Sequence, residues 1–292
     1  MEFGAIALPL MAALGYAVAS LVLKRGMALG AGVLALMVLG NWITALVFIG
    51  IFGFDGLFNE EVGYFWAGLG ALGFLVGQCF SVWAVQSGEV SVQTPLMGAK
   101  TVIVALMSAI IGIEVLEGIE WLAVVLSLVA VFVISGGRLS SLKGHFKTIV
   151  LVLVSCLGFG LADISVAKGA NAYGVEGFIL FLVLLSAVGS TVLLLIPGKG
   201  RILEKPSLRW AFAGGALLAV QALGMNLSIG YYGKPTLTNV LYSTRGLMGV
   251  LLVWTVGSWF ANEERQTSSK ELMAKRFIGA TLVVVSVVLM FV

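Results

Sequence analysis

Apolar stretches of membrane-spanning length follow one another along almost the whole chain, with only short polar loops between them. A helix that crosses hydrocarbon needs about 20 mostly apolar residues, because no water is present there to satisfy a broken backbone. Ten segments meet that requirement: 4–23, 33–53, 63–86, 92–112, 118–136, 148–167, 176–197, 208–230, 236–257 and 275–292. Of the 292 residues 60% are hydrophobic and only 11% charged, against about 25% charged in soluble proteins. The expected fold class is therefore an all-α integral membrane protein of ten transmembrane helices. Glycine is abundant (38 residues) and proline scarce (5), which suits helices that approach closely. The evenly spaced alternating strands of an outer-membrane barrel are not seen. The opening MEFGAIALPLMAALGYAVASLVLKR begins with an acid and reads as a retained first span, not a removed signal. Cys79 and Cys156 lie in apolar runs and read as buried thiols.

Orientation follows from the loops. Thirteen cations fall on one side: Lys24, Arg25, Arg138, Lys143, Lys147, Lys199, Arg201, Lys205, Arg209, Arg265, Lys270, Lys275 and Arg276. The other side holds only Lys168 and Lys234 and is acidic, with Asp55, Glu60, Glu61, Glu114, Glu117 and Glu120. The positive-inside rule puts the richer loops in the cytoplasm and both termini outside it. The expected location is the inner (plasma) membrane, multi-pass.

The two halves of the chain echo each other. LGYAVASLVLKRG at 14–26 aligns without gaps to LGFGLADISVAKG at 157–169, an offset of 143. Later in each half the offset is near 145, which sets Lys100 opposite Arg245. Residues 1–137 then form a first five-helix repeat, 138–147 a basic cytoplasmic linker, and 148–292 a second repeat. An odd number of spans per repeat forces the halves into opposite topology, and inverted repeats are a common basis for alternating access around a central cavity.

LPLMAALGYAVASLVLKRG, its second copy LGFGLADISVAKG, VQTPLMGAKTVIVALMSAIIGIEVLEG with its proline entering span four and an acid after it, and FANEE after span nine together resemble the drug/metabolite transporter superfamily, in its ten-span EamA-type members. The resemblance covers nearly the whole chain. It implies a ten-helix bundle with outside termini and a cavity lined mainly by spans 1, 3, 4, 6, 8 and 9. Members move amino acids, sugars, nucleotide sugars, phosphorylated metabolites, choline and drugs, so membership does not choose a substrate.

The residues that stand out chemically are charges inside spans. Lys100 and Arg245 each interrupt an apolar run, where a central charge costs about 2.5 to 3.5 kcal/mol on insertion scales. One reading is internal pairing, for instance with Asp163. The other is a midplane cavity that attracts a carboxylate or phosphate, with Arg245 holding it bidentately and Lys100 acting as a point charge. Asp163, the only acid well inside a span, reads first as an ion pair tethering spans and second as a proton-coupling site or ammonium contact. Neutral polar residues mark cavity faces: Gln78, Ser81 and Gln86 in span three, Gln221, Asn226 and Ser228 in span eight, and Thr238, Asn239, Tyr242, Ser243 and Thr244 in span nine. On a continuous helix Thr238, Tyr242 and Arg245 share one face. Candidate substrate-binding residues are thus Lys100, Arg245, Tyr242, Thr238, Gln78, Gln221 and Asn226, with Asp163 as ion-pair or coupling residue. Tyr16, Trp42, Trp83 and Phe159 are candidate wall aromatics. Glu114 and Glu263 read as helix caps or loop ion pairs, Pro95 as the start or kink of span four, and Gly233-Lys234-Pro235 as a short outer turn.

No reactive constellation accompanies these residues. The single histidine, His145, lies in a basic loop, no cluster has metal-ligand spacing and no phosphate-binding loop motif occurs. The expected function is secondary-active transport, exporting small amino-acid-like or other anion-bearing metabolites by alternating access, without catalysis, cofactor or metal. The alternative is a carrier of sugars, nucleotide sugars or phosphorylated metabolites, and a membrane enzyme or receptor ranks last. The partners expected are a small-molecule substrate and the lipid bilayer, with a homodimer left open and no nucleic acid.

Overall fold

A computed structural model describes residues 2–54, 63–87, 96–134, 146–195, 200, 202–256 and 270–292. Pro95, Glu263, Asp55, Glu60, Glu61, His145, most of the 138–147 linker and the loop after Gly257 lie outside the described residues. Eleven α-helices are described: α1 (Phe3–Ala28), α2 (Val33–Phe52), α3 (Tyr64–Ser87), α4 (Ala99–Ile111), α5 (Gly118–Ile134), α6 (Phe146–Tyr173), α7 (Val175–Val192), α8 (Leu208–Tyr232), α9 (Pro235–Tyr242), α10 (Arg245–Val256) and α11 (Lys270–Leu289). Among the described residues no strand occurs, only one isolated bridge between Ala31 and Leu203.

Six stretches are long and apolar enough to cross a membrane: Phe3–Ala28, Val33–Phe52, Tyr64–Ala84, Phe146–Tyr173, Val175–Leu195 and Lys205–Tyr232. The remaining expected spans are shorter or divided. Span four is helical from Ala99, after a turn at Met97–Gly98, and span five is the 17-residue α5. Span nine is split into α9 and α10 by a turn at Ser243–Thr244. The outward faces are apolar as well: Phe65 is 71% exposed, Phe277 77% and Ile110 82%. Side chains of that size on the outside of a helix need a hydrocarbon surround, so the molecule is an all-α membrane protein.

Small residues bring the helices together. The main core packs Ala12, Ala13, Ala45 and Ala67 against Phe48, Phe178, Ile179 and Leu180. α1 lies along α8, α3 along α6, α5 along α11, and α2 along α7 and α8. The α3–α6 contact depends on glycine: a Cβ on Gly158 would come within 2.6 Å of the Gly73 carbonyl oxygen and of the Gly77 nitrogen. Backbone meets backbone there, so no side-chain movement would make room. At the α8–α9 corner Gly233 takes φ +61° and caps α8 through its N–H to the Ile229 carbonyl. That is a left-handed position which glycine occupies without strain, and Pro235 then opens α9 as its first residue.

Candidate functional site

The two breaks in the helices fall at the two intramembrane cations. α4 begins one residue before Lys100 and α10 begins at Arg245. A break exposes carbonyls that a continuous helix would use, and these are satisfied locally. The Ser243 hydroxyl donates to the Val240 carbonyl at 2.6 Å and the Thr244 hydroxyl to the Leu241 carbonyl at 2.7 Å. In the first half Lys100 N–H reaches back to the Met97 carbonyl and Thr101 N–H to Gly98, a tight start to α4.

Both cations border one cavity of about 500 Å³ at the centre of the bundle. It also receives Tyr16 from α1, Asn41 from α2, Gln78 from α3, Phe159 and Asp163 from α6, and Gln221 and Asn226 from α8. α9 is buried along its whole length, and only its last residue, Tyr242, reaches the cavity.

The cations differ in environment. Lys100 Nζ lies 2.8 Å from Asp163 Oδ2, each side chain 13% exposed. The same carboxylate oxygen accepts a hydrogen bond from Asn239 Nδ2 at 2.7 Å, and that amide also donates to the Pro235 carbonyl at 2.9 Å. Asp163 is thereby tied to α4 and α9 at once. Arg245 has no carboxylate within salt-bridge distance among the described residues. Its guanidinium carbon instead sits 4.4 Å from the Tyr242 ring centroid and 5.0 Å from that of Tyr16, and the two rings meet edge to face at 6.0 Å. Aromatic faces stabilise a guanidinium by cation–π attraction, and the Tyr242 side chain also hydrogen-bonds it. Lys100, Asp163 and Arg245 sum to one positive charge (+1 − 1 + 1) on the cavity wall.

The remaining candidates divide. Gln78 lines the cavity but exchanges two hydrogen bonds with Asn41, at 2.9 and 3.1 Å. Asn226 lines it with its amide donating to the Ala222 carbonyl one turn back. Gln221 lines it with no hydrogen bond to a described residue. Thr238 is not part of it: its hydroxyl pairs with Ser228 of α8 at 2.8 Å and the residue is 1% exposed. The face shared by Thr238, Tyr242 and Arg245 assumed an unbroken helix, and the turn at Ser243–Thr244 removes that register. Of the wall aromatics, Tyr16 and Phe159 border the cavity, whereas Trp42 donates to Thr191 and Trp83 is exposed. Sequence reasoning passed over Asn41, although an amide midway along an apolar span signals an interhelical partner.

Beyond the cavity, Glu114 binds the start of α9. Its Oε2 accepts from Thr236 N–H at 3.0 Å, Thr236 Oγ1 at 2.6 Å and Ser108 Oγ at 2.7 Å. A carboxylate at the first turn of a helix satisfies orphan N–H groups and the helix dipole. Burial pushes the Glu114 carboxyl above its ordinary value; the Thr236 and Ser108 hydrogen bonds oppose this and Glu120 adds to it. Glu114 is thus a helix cap, as read from the sequence, but for a helix of the other half of the chain.

The fold and this site define an all-α, membrane-embedded protein with a charged central cavity. No family model and no curated protein matches the chain. Among solved structures, one described as "Crystal structure of protein" is similar over 99% of this chain and 96% of its own, with TM-score 0.77 and 16% identity. At that identity the likeness speaks for the fold alone.

Proposed function

We propose that this protein is a secondary carrier of small anion-bearing metabolites, built as two inverted five-span repeats of the EamA type with both termini outside the cytoplasm. The observation that carries the reading is Arg245. It is a permanent cation at a helix break, held between two tyrosine rings, facing a cavity of metabolite size and facing no carboxylate among the described residues. A ligand carboxylate would complete its charge balance and take its bidentate donors. The amino acid-like class is preferred to neutral sugars because an uncompensated charge in a low-dielectric wall is costly without an anion.

Helix pairing supports the repeat. If spans one to five correspond to six to ten, a two-fold relation exchanges the α1–α8 contact with α3–α6 and maps α5–α11 and α2–α7 onto themselves, and all of these contacts are made. Gly15 and Gly158, matched by the 143-residue offset, both lie where their helix meets its partner, though only Gly158 is required for the approach. A Cβ on Gly15 would make an ordinary contact, 3.4 Å from the Leu217 carbonyl of α8, whereas one on Gly158 would clash with the α3 backbone. α9 is buried and its first turn is held by Glu114, at the end of the bundle that the loop charges make the outer side. In this reading α9 would serve as an outer gate of the cavity in an alternating-access cycle.

Reconstitution tests the function. Purified protein in liposomes should carry labelled carboxylates down a gradient faster than sugars of equal size. Product formed without flux would replace the carrier by an enzyme, and sugar flux without carboxylate flux would replace the substrate class.

A further inference from the structure

Taking the anion-carrier reading as its basis, we infer that Asp163 is a specificity-determining residue: by neutralising Lys100 it restricts the cavity to ligands bearing one negative charge, so that monoanions are selected over dianions of the same skeleton. Three observations carry this. Lys100, Asp163 and Arg245 border the same cavity, so a ligand there meets all three charges together. Lys100 and Asp163 are in direct contact at 2.8 Å and both are largely withdrawn from solvent, so the pair presents no net charge. Asp163 is held in that position by Asn239, whose second amide hydrogen is anchored on the Pro235 carbonyl. The carboxylate therefore cannot turn away from Lys100 without breaking a second bond.

What remains is a single positive charge on Arg245. One carboxylate balances it. A second negative group in the same cavity has only Lys100 to approach, and must compete with Asp163 for it. In a low-dielectric site that competition leaves one carboxylate uncompensated whichever wins, and an unpaired buried charge is strongly disfavoured. Charge at this position is thus set by the pair, not by the two cations alone. A chain with the same Lys100 and Arg245 but no acid at 163 would present two positive charges to the ligand.

The test uses the purified full-length protein and two pairs of small molecules that differ by one charge at nearly constant size: succinamate against succinate, and glutaramate against glutarate. Binding is measured by titration at pH 7.5. The wild type is expected to bind the less charged member of each pair more tightly. Asp163→Asn should move the affinity ratio toward succinate and glutarate by about tenfold or more, the scale of one charge-assisted hydrogen bond. The double variant Lys100→Gln with Asp163→Asn, which returns the wall to a single positive charge, should restore the wild-type ratio. A ratio unchanged in folded Asp163→Asn would overturn the inference and leave Asp163 as a strut between helices. If Asp163→Asn alone is not monodisperse, Lys100→Gln replaces it as the comparison. The double variant should then bind succinamate about tenfold more tightly than Lys100→Gln, and equal binding would overturn the inference. Wild-type protein that binds none of the four overturns the anion-carrier reading, and this inference with it. Binding with an unaltered ratio sinks the inference only.

Discussion

Arg245 and Lys100 border one cavity and yet have different partners, and the difference fixes what each can do. Lys100 is satisfied by Asp163; Arg245 lies against the Tyr16 and Tyr242 rings and hydrogen-bonds the Tyr242 side chain, with no carboxylate partner among the described residues. Arg245→Ala should therefore weaken carboxylate binding by about 1.5 to 3 kcal/mol, the worth of a hydrogen bond to a charged group. Arg245→Lys should recover only part of that loss, because an ammonium neither stacks on Tyr16 and Tyr242 nor offers a planar fork. Isothermal titration of folded, monodisperse protein checks both, and Arg245→Lys binding as tightly as wild type would mean that charge alone matters. At this scale the sequence was legible where chemistry is rare: Lys100, Arg245 and Asp163 stood out as charges in hydrocarbon, and all three meet at the cavity. It was less legible where the side chain is small and common. Thr238 was assigned to the cavity by helical register, and its hydroxyl turned out to satisfy Ser228. Whether a neutral polar group faces a ligand or a neighbouring helix depends on helix rotation, which spacing alone does not give.

Among the elements, α9 has the most demanding position. Eight residues, all buried, are wedged among α1, α4, α5, α6 and α8, with their first turn capped by a carboxylate from the α4–α5 loop. A carboxyl whose value is raised in the folded state binds its proton more tightly there than in the unfolded chain. Its contribution to stability is therefore present below the ordinary value of 4.5 and is lost as pH rises through the raised one. Glu114→Gln keeps an acceptor for Thr236 and carries no charge to desolvate. Measured by thermal unfolding in detergent, the difference between Glu114→Gln and wild type should grow in favour of the variant as pH rises from 5 to 8. Glu114→Ala should lose about 1 to 3 kcal/mol at pH 5, since it leaves the Thr236 donors unpaired, and that loss should shrink as pH rises, because the variant has no carboxyl to desolvate. A variant difference that does not change with pH would show that burial is not what governs this carboxyl. The cap itself was foreseeable from an acid following an apolar span. Its partner was not, because Thr236 is 122 residues away and nothing local in either segment links them. The turn before Arg245 was likewise hidden, since Ser243 and Thr244 read as ordinary polar positions until their hydroxyls are seen to bind the Val240 and Leu241 carbonyls, whereas Pro95 reads as the start or kink of span four.

For the whole molecule the claim is that one cavity is reached in turn from both sides of the membrane. Loop charge, the cation match at an offset near 145 and the helix contacts expected of two inverted repeats are what support that proposal. The most direct measurement is thiol accessibility in cells. Cys79 and Cys156 are replaced by alanine, and Ala222→Cys places one thiol on the cavity wall beside Gln221; a cysteine tag after Val292, in a separate protein, reports orientation. Membrane-impermeant thiol reagent is applied to intact cells and to inverted vesicles. The account predicts that the tag reacts only from outside, and that the thiol at position 222 reacts from both sides, with a balance that shifts when carboxylate substrate is supplied. A tag labelled from the cytoplasm, or a cavity thiol that reacts from one side alone under every ligand condition, would contradict it.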